Sequence, residues 1–291
     1  MVITEKIKLI VSMIIVGTLG IFLEYVNLPS SVVACARSVI GTIILLPVVL
    51  LSKSKLNIEL LKKNAVYLMA SGAALGFNWI FLFEAYEYTT VAVATLCYYM
   101  APVFVIILSP IVLKEKLSIV NIICTVCAVI GAVFISGVAG EGGTDIRGIA
   151  FGLVAAVLYC SIVLLNKKIK GLSSIETTFT QLAVSAVVML IFVSVKENVT
   201  TLEFTLKNVL ILLVLGVVHT GIVYLLFFSA VGKLPSQTSS VLSYVDPITA
   251  IVLSSVFLNQ KMNNLQIVGT FLILGSVFIN EVLKTKKLQN N

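Results

Sequence analysis

Charge is what this 291-residue sequence has least of. Only 11% of its residues are Asp, Glu, Lys or Arg, against about 25% in a typical soluble domain. Hydrophobic residues make up 59%, and the mean hydropathy is +1.12. So few charges cannot cover the surface of a water-soluble fold of this length, and lipid is the expected solvent. Catalytic motifs are missing as well. No G-x-x-x-x-G-K-[ST] occurs, so ATP-driven transport has no support. There is one His, and neither H-E-x-x-H nor paired Asp-rich segments accompany it. That argues against intramembrane proteases and magnesium-dependent transferases, and predicts no enzyme, no metal and no cofactor. The five cysteines, Cys35, Cys97, Cys124, Cys127 and Cys160, all lie in apolar runs. Cys124 and Cys127 form a C-x-x-C without a second pair of soft ligands, so they read as packing residues.

What the chain has is apolar length. Ten segments match the roughly 20 residues a spanning helix needs: 7–25, 32–51, 65–86, 91–112, 118–138, 148–166, 174–195, 208–230, 236–257 and 264–283. They lack the alternation of barrel strands, and helices satisfy their own backbone groups in lipid. The expected fold class is therefore an all-α integral membrane protein with ten transmembrane helices. The net charge of +7 comes from basic residues at segment ends, which report topology and give no reason to expect nucleic acid. With the N-terminus inside, fifteen lysines fall on the cytoplasmic side and four basic residues outside, with Arg37 within a helix. Both termini are expected to be cytoplasmic. The first run, about 19 residues with no small-residue cleavage site after it, reads as a retained span. The expected setting is a prokaryotic plasma membrane, multi-pass, as a monomer or weak homodimer in the lipid bilayer.

The chain repeats itself. Shifted by 145 positions, residues 98–117 fall on 243–262, with Tyr99 on Tyr244, Pro102 on Pro247, Ser109 on Ser254 and Lys116 on Lys261. FLFEAYEYTTVA (81–92) falls on LFFSAVGKLPSQ (226–237). A shift of 144 puts 28–38 on 172–182, with Arg37 on Gln181. Five helices per half is an odd number, so the second copy crosses the membrane in the opposite sense. Inverted repeats of this kind support alternating access in secondary transporters. The halves are 1–140 and 146–287, with a tail at 288–291.

Ten helices as five plus five, an Arg early in the second, and A-P and D-P pairs in the fourth and ninth stand out. The pairs are followed by L-K-E-K-L (113–117) and L-N-Q-K-M (258–262). Together these features resemble the drug/metabolite transporter superfamily, in particular its EamA-type branch. The resemblance covers nearly the whole chain. It implies an exporter or exchanger of small metabolites with a cavity between the halves. The family's acidic residue after the fourth helix is kept as Glu115; its counterpart after the ninth is Gln260, a departure.

Ionisable groups inside a membrane are expensive and so are functional candidates. Asp246 stands ten residues into the ninth segment, about 15 Å deep and near the midplane. Pro247 beside it removes a backbone hydrogen bond, and Pro102 is its repeat partner. A polar cavity and a merely packed kink are both open readings. His219, also at mid-depth, is suited to change charge near neutral pH. It reads either as a proton or substrate partner of Asp246, or as a neutral ring bonded to a carbonyl. Glu24 and Arg37 face each other across a short hairpin, as a structural ion pair or a charged vestibule. Glu84 could reach the cavity entrance, whereas Glu87 is expected in the loop. Asn78, Trp79, Tyr86, Tyr98, Tyr99 and Tyr244 supply polar-tipped walls, too deep at Tyr98 and Tyr99 for an interfacial belt. With Arg37 the only deep basic residue, phosphate esters are disfavoured. A neutral, zwitterionic or cationic solute fits better, an amino acid or amine first. The expected function is secondary active transport, with proton coupling through His219 and Asp246. A passive facilitator of the same fold is the alternative.

Overall fold

A computed structural model describes residues 2–51, 58–89, 94, 97–116, 118–136 and 145–257. It also describes 264, 265, 267–269, 271–273, 275, 276 and 279. Among these residues all regular structure is helical. In chain order the elements are α1 (Val2–Gly17), α2 (Leu19–Glu24), α3 (Ser30–Leu51), α4 (Ile58–Lys63), α5 (Ala65–Tyr88), α6 (Ala101–Leu113) and α7 (Ile119–Ser136). There follow α8 (Ile146–Asn166), α9 (Ser174–Lys196), α10 (Leu206–Gly216), a π-helical turn (Val217–Ile222), α11 (Val223–Val231), α12 (Ser236–Leu242) and α13 (Val245–Phe257). Among the described residues six helical segments are long and apolar enough to cross a membrane: Ile3–Glu24, Ser30–Leu51, Ala65–Tyr88, Ile146–Asn166, Ser174–Lys196 and Leu206–Val231. Large apolar side chains such as Leu51, Val66 and Val195 face outward, as a lipid solvent requires. No disulfide joins the cysteines.

Local chemistry sets the helix ends. Ser173 and Glu176 form a reciprocal capping box that opens α9. Thr205 accepts the N–H of Asn208 at the start of α10, and Asp145 that of Arg147 at the start of α8. Several boundaries differ from the sequence expectation. The first segment breaks at Thr18, a π-turn interrupts the eighth, and α4 occupies part of an expected connection. Glu87 lies in the last turn of α5, exposed, instead of in a loop. The tail, Gln260 and Lys261 lie outside the described residues.

The ninth segment is two helices. The chain turns at Ser243–Tyr244, and the fourth turns at Tyr99–Met100. Both turns precede a proline. Pro247 has no N–H to offer the Ser243 carbonyl, which takes the Asp246 N–H instead (3.2 Å). Pro102 and Pro247 thus sit in the first turns of α6 and α13, where an intrahelical N–H has no partner to lose.

Packing follows the repeat. The first half packs on the second through α5 with α8 and α9, α3 with α9, α1 with α11 and α13, and α6 with α8 and α12. Exchanging the halves pairs these contacts: α5 on α8 answers α11 on α1, α5 on α9 answers α10 on α3, and α6 on α8 answers α13 on α1. The correspondence reaches single residues. Gly72 of α5 lies so close to α9 that a Cβ would come within 3 Å of Val184 Cβ and of the Gln181 carbonyl. Gly216 of α10 lies equally close to Ile40 of α3. Gly216 follows Gly72 by 144 positions and Val184 follows Ile40 by 144, so one contact is the image of the other.

Candidate functional site

Where the halves meet they enclose a cavity of about 420 Å³. Its walls come from the later part of α1, from α2, the first turns of α3, the second half of α5, the middle of α8, and α11. The two broken-helix starts, Ala101–Pro102 and Ser243–Asp246, complete it. Most of the wall is aromatic. Trp79, Tyr224, Phe228, Phe227, Tyr159, Tyr98 and Tyr99 form an unbroken series, each ring centroid 5.3–6.3 Å from the next. Such spacings are those of attractive edge and offset contacts.

A charge stands at each end of this series. At one end the Arg37 guanidinium lies over the Trp79 ring, 5.4 Å from its centroid, and its Nε–H donates to Thr220 Oγ1 (3.1 Å). Among the described residues no carboxylate pairs with it. At the other end stands Asp246, in the first turn of α13, where the partial positive charge of a helix start favours an acid. Its carboxylate has no ion pair or hydrogen bond among the described residues, and it faces the cavity. Beside it the Tyr244 hydroxyl donates to the carbonyl of Tyr99, its own repeat counterpart (3.2 Å). The two helix breaks thus touch. Asn78 Nδ2 donates to the Ala155 carbonyl (2.6 Å), and its Oδ1 has no partner among the described residues. Asp246, Tyr98, Tyr99, Tyr244, Asn78, Trp79, Tyr86 and Arg37, expected as wall or vestibule residues, all line the cavity.

Three expectations are corrected. His219 does not line the cavity. The π-turn places it behind the wall, 2% exposed, against the edge of Phe22. Its Nε2 lies 2.7 Å from Thr18 Oγ1, and that hydroxyl already donates to the Ile15 carbonyl. Nε2 is therefore assigned as the donor, and the ring braces the α1–α2 break against the π-turn. Glu84 turns away to pair with Lys196 of α9. Glu24 is exposed at the end of α2, and among the described residues no ion pair joins it to Arg37. A guanidinium on an indole face with a hydroxyl partner has taken the place of the expected pair.

Sequence reasoning missed Tyr159, Tyr224 and Phe227. The i, i+3, i+4 spacing of Tyr224, Phe227 and Phe228 marks one helix face and was the available signal. It also missed how the opposite end is closed. Glu5, 4% exposed, pairs with Lys233 (2.9 Å) and Lys8 (3.2 Å). Lys114 adopts a left-handed φ of 57° that ends α6 and turns Glu115 toward α12. There Glu115 accepts from the N–H (3.2 Å) and hydroxyl (3.2 Å) of Ser236 and pairs with Lys167 (3.5 Å). Lys167 also donates to the Leu234 carbonyl. Burial pushes the Lys167 ammonium down from its ordinary value, and Glu115 beside it pulls it back up. Glu5–Lys233, Glu115–Ser236 and Glu115–Lys167 each join the first half to the second.

The EamA-like transporter family model matches residues 5–137 and 146–281, one copy on each half. An uncharacterized transporter of Bacillus subtilis (strain 168), YxxF, is 32% identical over 98% of this chain and 91% of its own length. An uncharacterized transporter of Clostridium kluyveri is 28% identical over 82% of this chain and 79% of its own length. A protein of known crystal structure superposes with a TM-score of 0.82 at 16% identity, over 96% of this chain and 98% of its own, a likeness of fold. With the doubled family match and the two-fold packing in agreement, the chain belongs to the EamA-like transporter family and is a membrane transporter, not an enzyme.

Proposed function

We propose that this protein is a secondary active transporter of a small zwitterion, an amino acid or closely related amine. It would work by alternating access around the cavity between two inverted five-helix repeats. The observation that carries this reading is the pair of uncompensated opposite charges in one cavity, Arg37 and Asp246, at the two ends of an aromatic wall. A carboxylate on Arg37 and an ammonium on Asp246 would satisfy both, and a buried charge without a partner is costly. The rings between them suit an apolar side chain or the face of a cation.

The cavity reaches the end of the bundle that carries Leu23, Ser30 and Tyr86. The opposite end is held shut by Glu5–Lys233 and Glu115–Lys167. On the proposed topology of ten spans with both termini cytoplasmic, that lysine-rich end faces the cytoplasm. The described conformation is then outward-open, the state from which an exporter releases its solute. Asp246 is the group in reach of both solute and water, and it is the proposed carrier of any coupled proton, with no cofactor required.

The test is a thermal-shift comparison on the purified protein, since a ligand that binds only the folded state raises its stability. A neutral amino acid should raise Tm more than its methyl ester or its N-acetyl derivative. Arg37→Gln should remove the preference over the ester, and Asp246→Asn the preference over the acetyl form. An ester that stabilises the wild type as well as the free amino acid would sink the proposal. In vesicles, accumulation against a gradient separates a coupled carrier from a passive facilitator.

A further inference from the structure

A second, smaller cavity lies away from the transport site. It measures about 140 Å³, room for several water-sized groups, and sits among the end of α8, the start of α9 and the end of α11. We propose that it binds a phosphate anion, carried by an anionic lipid headgroup or free in solution. The inference stands independently of the transported solute.

The lining is donor-rich. Asn166 is 6% exposed, and its Nδ2 has no hydrogen-bond partner among the described residues. Ser174 and Thr177 bring hydroxyls from the first turns of α9. Ser173 Oγ takes up the Glu176 N–H (3.3 Å), which leaves the N–H groups of Ser174 and Ile175 directed out of the helix end. A 23-residue helix also concentrates partial positive charge there. Lys233 stands on the rim; it pairs with Glu5 and has further N–H groups to give. The nearby Glu176 carboxylate is engaged by the Ser173 N–H (2.8 Å) and hydroxyl (2.7 Å). Asn166 Nδ2 is thus a buried amide donor without a partner among the described residues, set beside two hydroxyls, a helix start and an ammonium, a combination that suits an oxyanion.

The depth fits a headgroup. The apolar span of α8 ends at Asn166, that of α9 begins at Ser174, and that through α11 ends at Val231. The pocket therefore lies where three spans reach the membrane boundary. The adjoining connection carries Lys167, Lys168 and Lys170, the kind of basic cluster that draws anionic lipid.

The test uses the full-length protein, delipidated in uncharged detergent, with Tm followed against phosphatidylglycerol, diacylglycerol and inorganic phosphate at constant ionic strength. Phosphatidylglycerol should raise Tm, and diacylglycerol, which has the tails without the phosphate, should not. A response to inorganic phosphate as well assigns the bare anion; a response to the lipid alone assigns the headgroup. Asn166→Asp keeps the shape and puts a negative charge among the donors. It should raise the half-maximal concentration by about tenfold or more. Thr177→Val and Lys233→Gln should weaken the response by less, and they carry the test if Asn166→Asp does not fold. Lys207→Gln, at the opposite end of the bundle beside Tyr25, should leave it unchanged. The proposal is overturned if neither phosphate source shifts Tm, or if the lining variants respond as the wild type does.

Discussion

Two stretches of this molecule share a shape and differ in charge. Residues 98–102 and 243–247 are repeat counterparts. Each turns one residue after a helix end, restarts just before a proline, and offers its new helix start to the cavity. Tyr99 and Tyr244 meet across the pseudo-two-fold. Yet the second break carries Asp246 where the first has Ala101. The reverse asymmetry holds at another pair. Arg37 lines the cavity, while its counterpart Gln181 is buried and donates to Ser71 Oγ (2.7 Å). Each half has thus contributed one charge of opposite sign to a shared, otherwise symmetric scaffold. A two-fold cavity has no preferred orientation for its solute; one acid and one base give it one. The α13 start is also neutralised by its own acid, while the α6 start, with Ala101, is left to favour an anion.

Moving the acid breaks this comparison most sharply. Asp246→Asn should weaken binding of a zwitterion by on the order of 100-fold, because a buried ammonium would lose its counter-charge. The double variant Asp246→Asn with Ala101→Asp restores an acid at the symmetric helix start, on the cavity wall where the partial positive charge of the α6 start favours it. It should fold, with Tm near that of Asp246→Asn alone, and recover little zwitterion binding. Isothermal titration reads both. Full recovery would show that either break serves and that the asymmetry carries no orientation.

A smaller effect is expected at the basic end. Arg37→Lys keeps the charge but gives up the planar stack on Trp79 and the forked donor geometry. Zwitterion affinity should drop about tenfold, and affinity for the methyl ester should change little. Equal losses for both ligands would assign Arg37 to the scaffold.

The symmetric scaffold can be probed where it is tightest. Gly72→Ala and Gly216→Ala each insert a methyl group into a closed helix contact, and overpacking of this kind costs about 1–3 kcal/mol. Both should lower Tm by a few degrees, and by similar amounts, since each contact is the image of the other. A large difference would mean that the two inter-half seams are not equivalent in stability.

Composition and apolar length made the membrane, the helices and the repeat legible in the sequence, because lipid demands long runs and the repeat copies them. The Asp246–Pro247 pair stood out too: a costly acid beside a helix breaker, with only the proline kept in its partner copy, singled out a residue that lies on the cavity wall. Side-chain direction was not. Whether Glu84 points into the cavity or across to Lys196 depends on helix rotation, which an apolar-all-round segment does not encode. The aromatic wall was half visible for the same reason: Tyr98 and Tyr99 stood beside a proline, whereas Tyr159 lay in an unmarked run. The closing ties Glu5–Lys233 and Glu115–Ser236 join residues more than a hundred positions apart. No local pattern announces such pairs.

His219 is where the sequence argument and the structure part most clearly, and it gives the smallest expected effect. A lone mid-depth histidine reads as a proton site because its ordinary pKa lies close to neutral pH. Placed behind the cavity wall with its Nε2 on Thr18, it is buried and does not line the cavity. His219→Gln retains a side-chain N–H that can reach Thr18 Oγ1 and removes the titrating ring. Zwitterion affinity should stay within about twofold, and any dependence of transport on a pH gradient should persist, while Asp246→Asn abolishes it. Uptake into proteoliposomes under imposed gradients distinguishes the two. If His219→Gln also lost the pH dependence, proton coupling would have to pass through the Thr18 hydroxyl into the α1–α2 break, and Asp246 would be its terminus instead of its sole carrier.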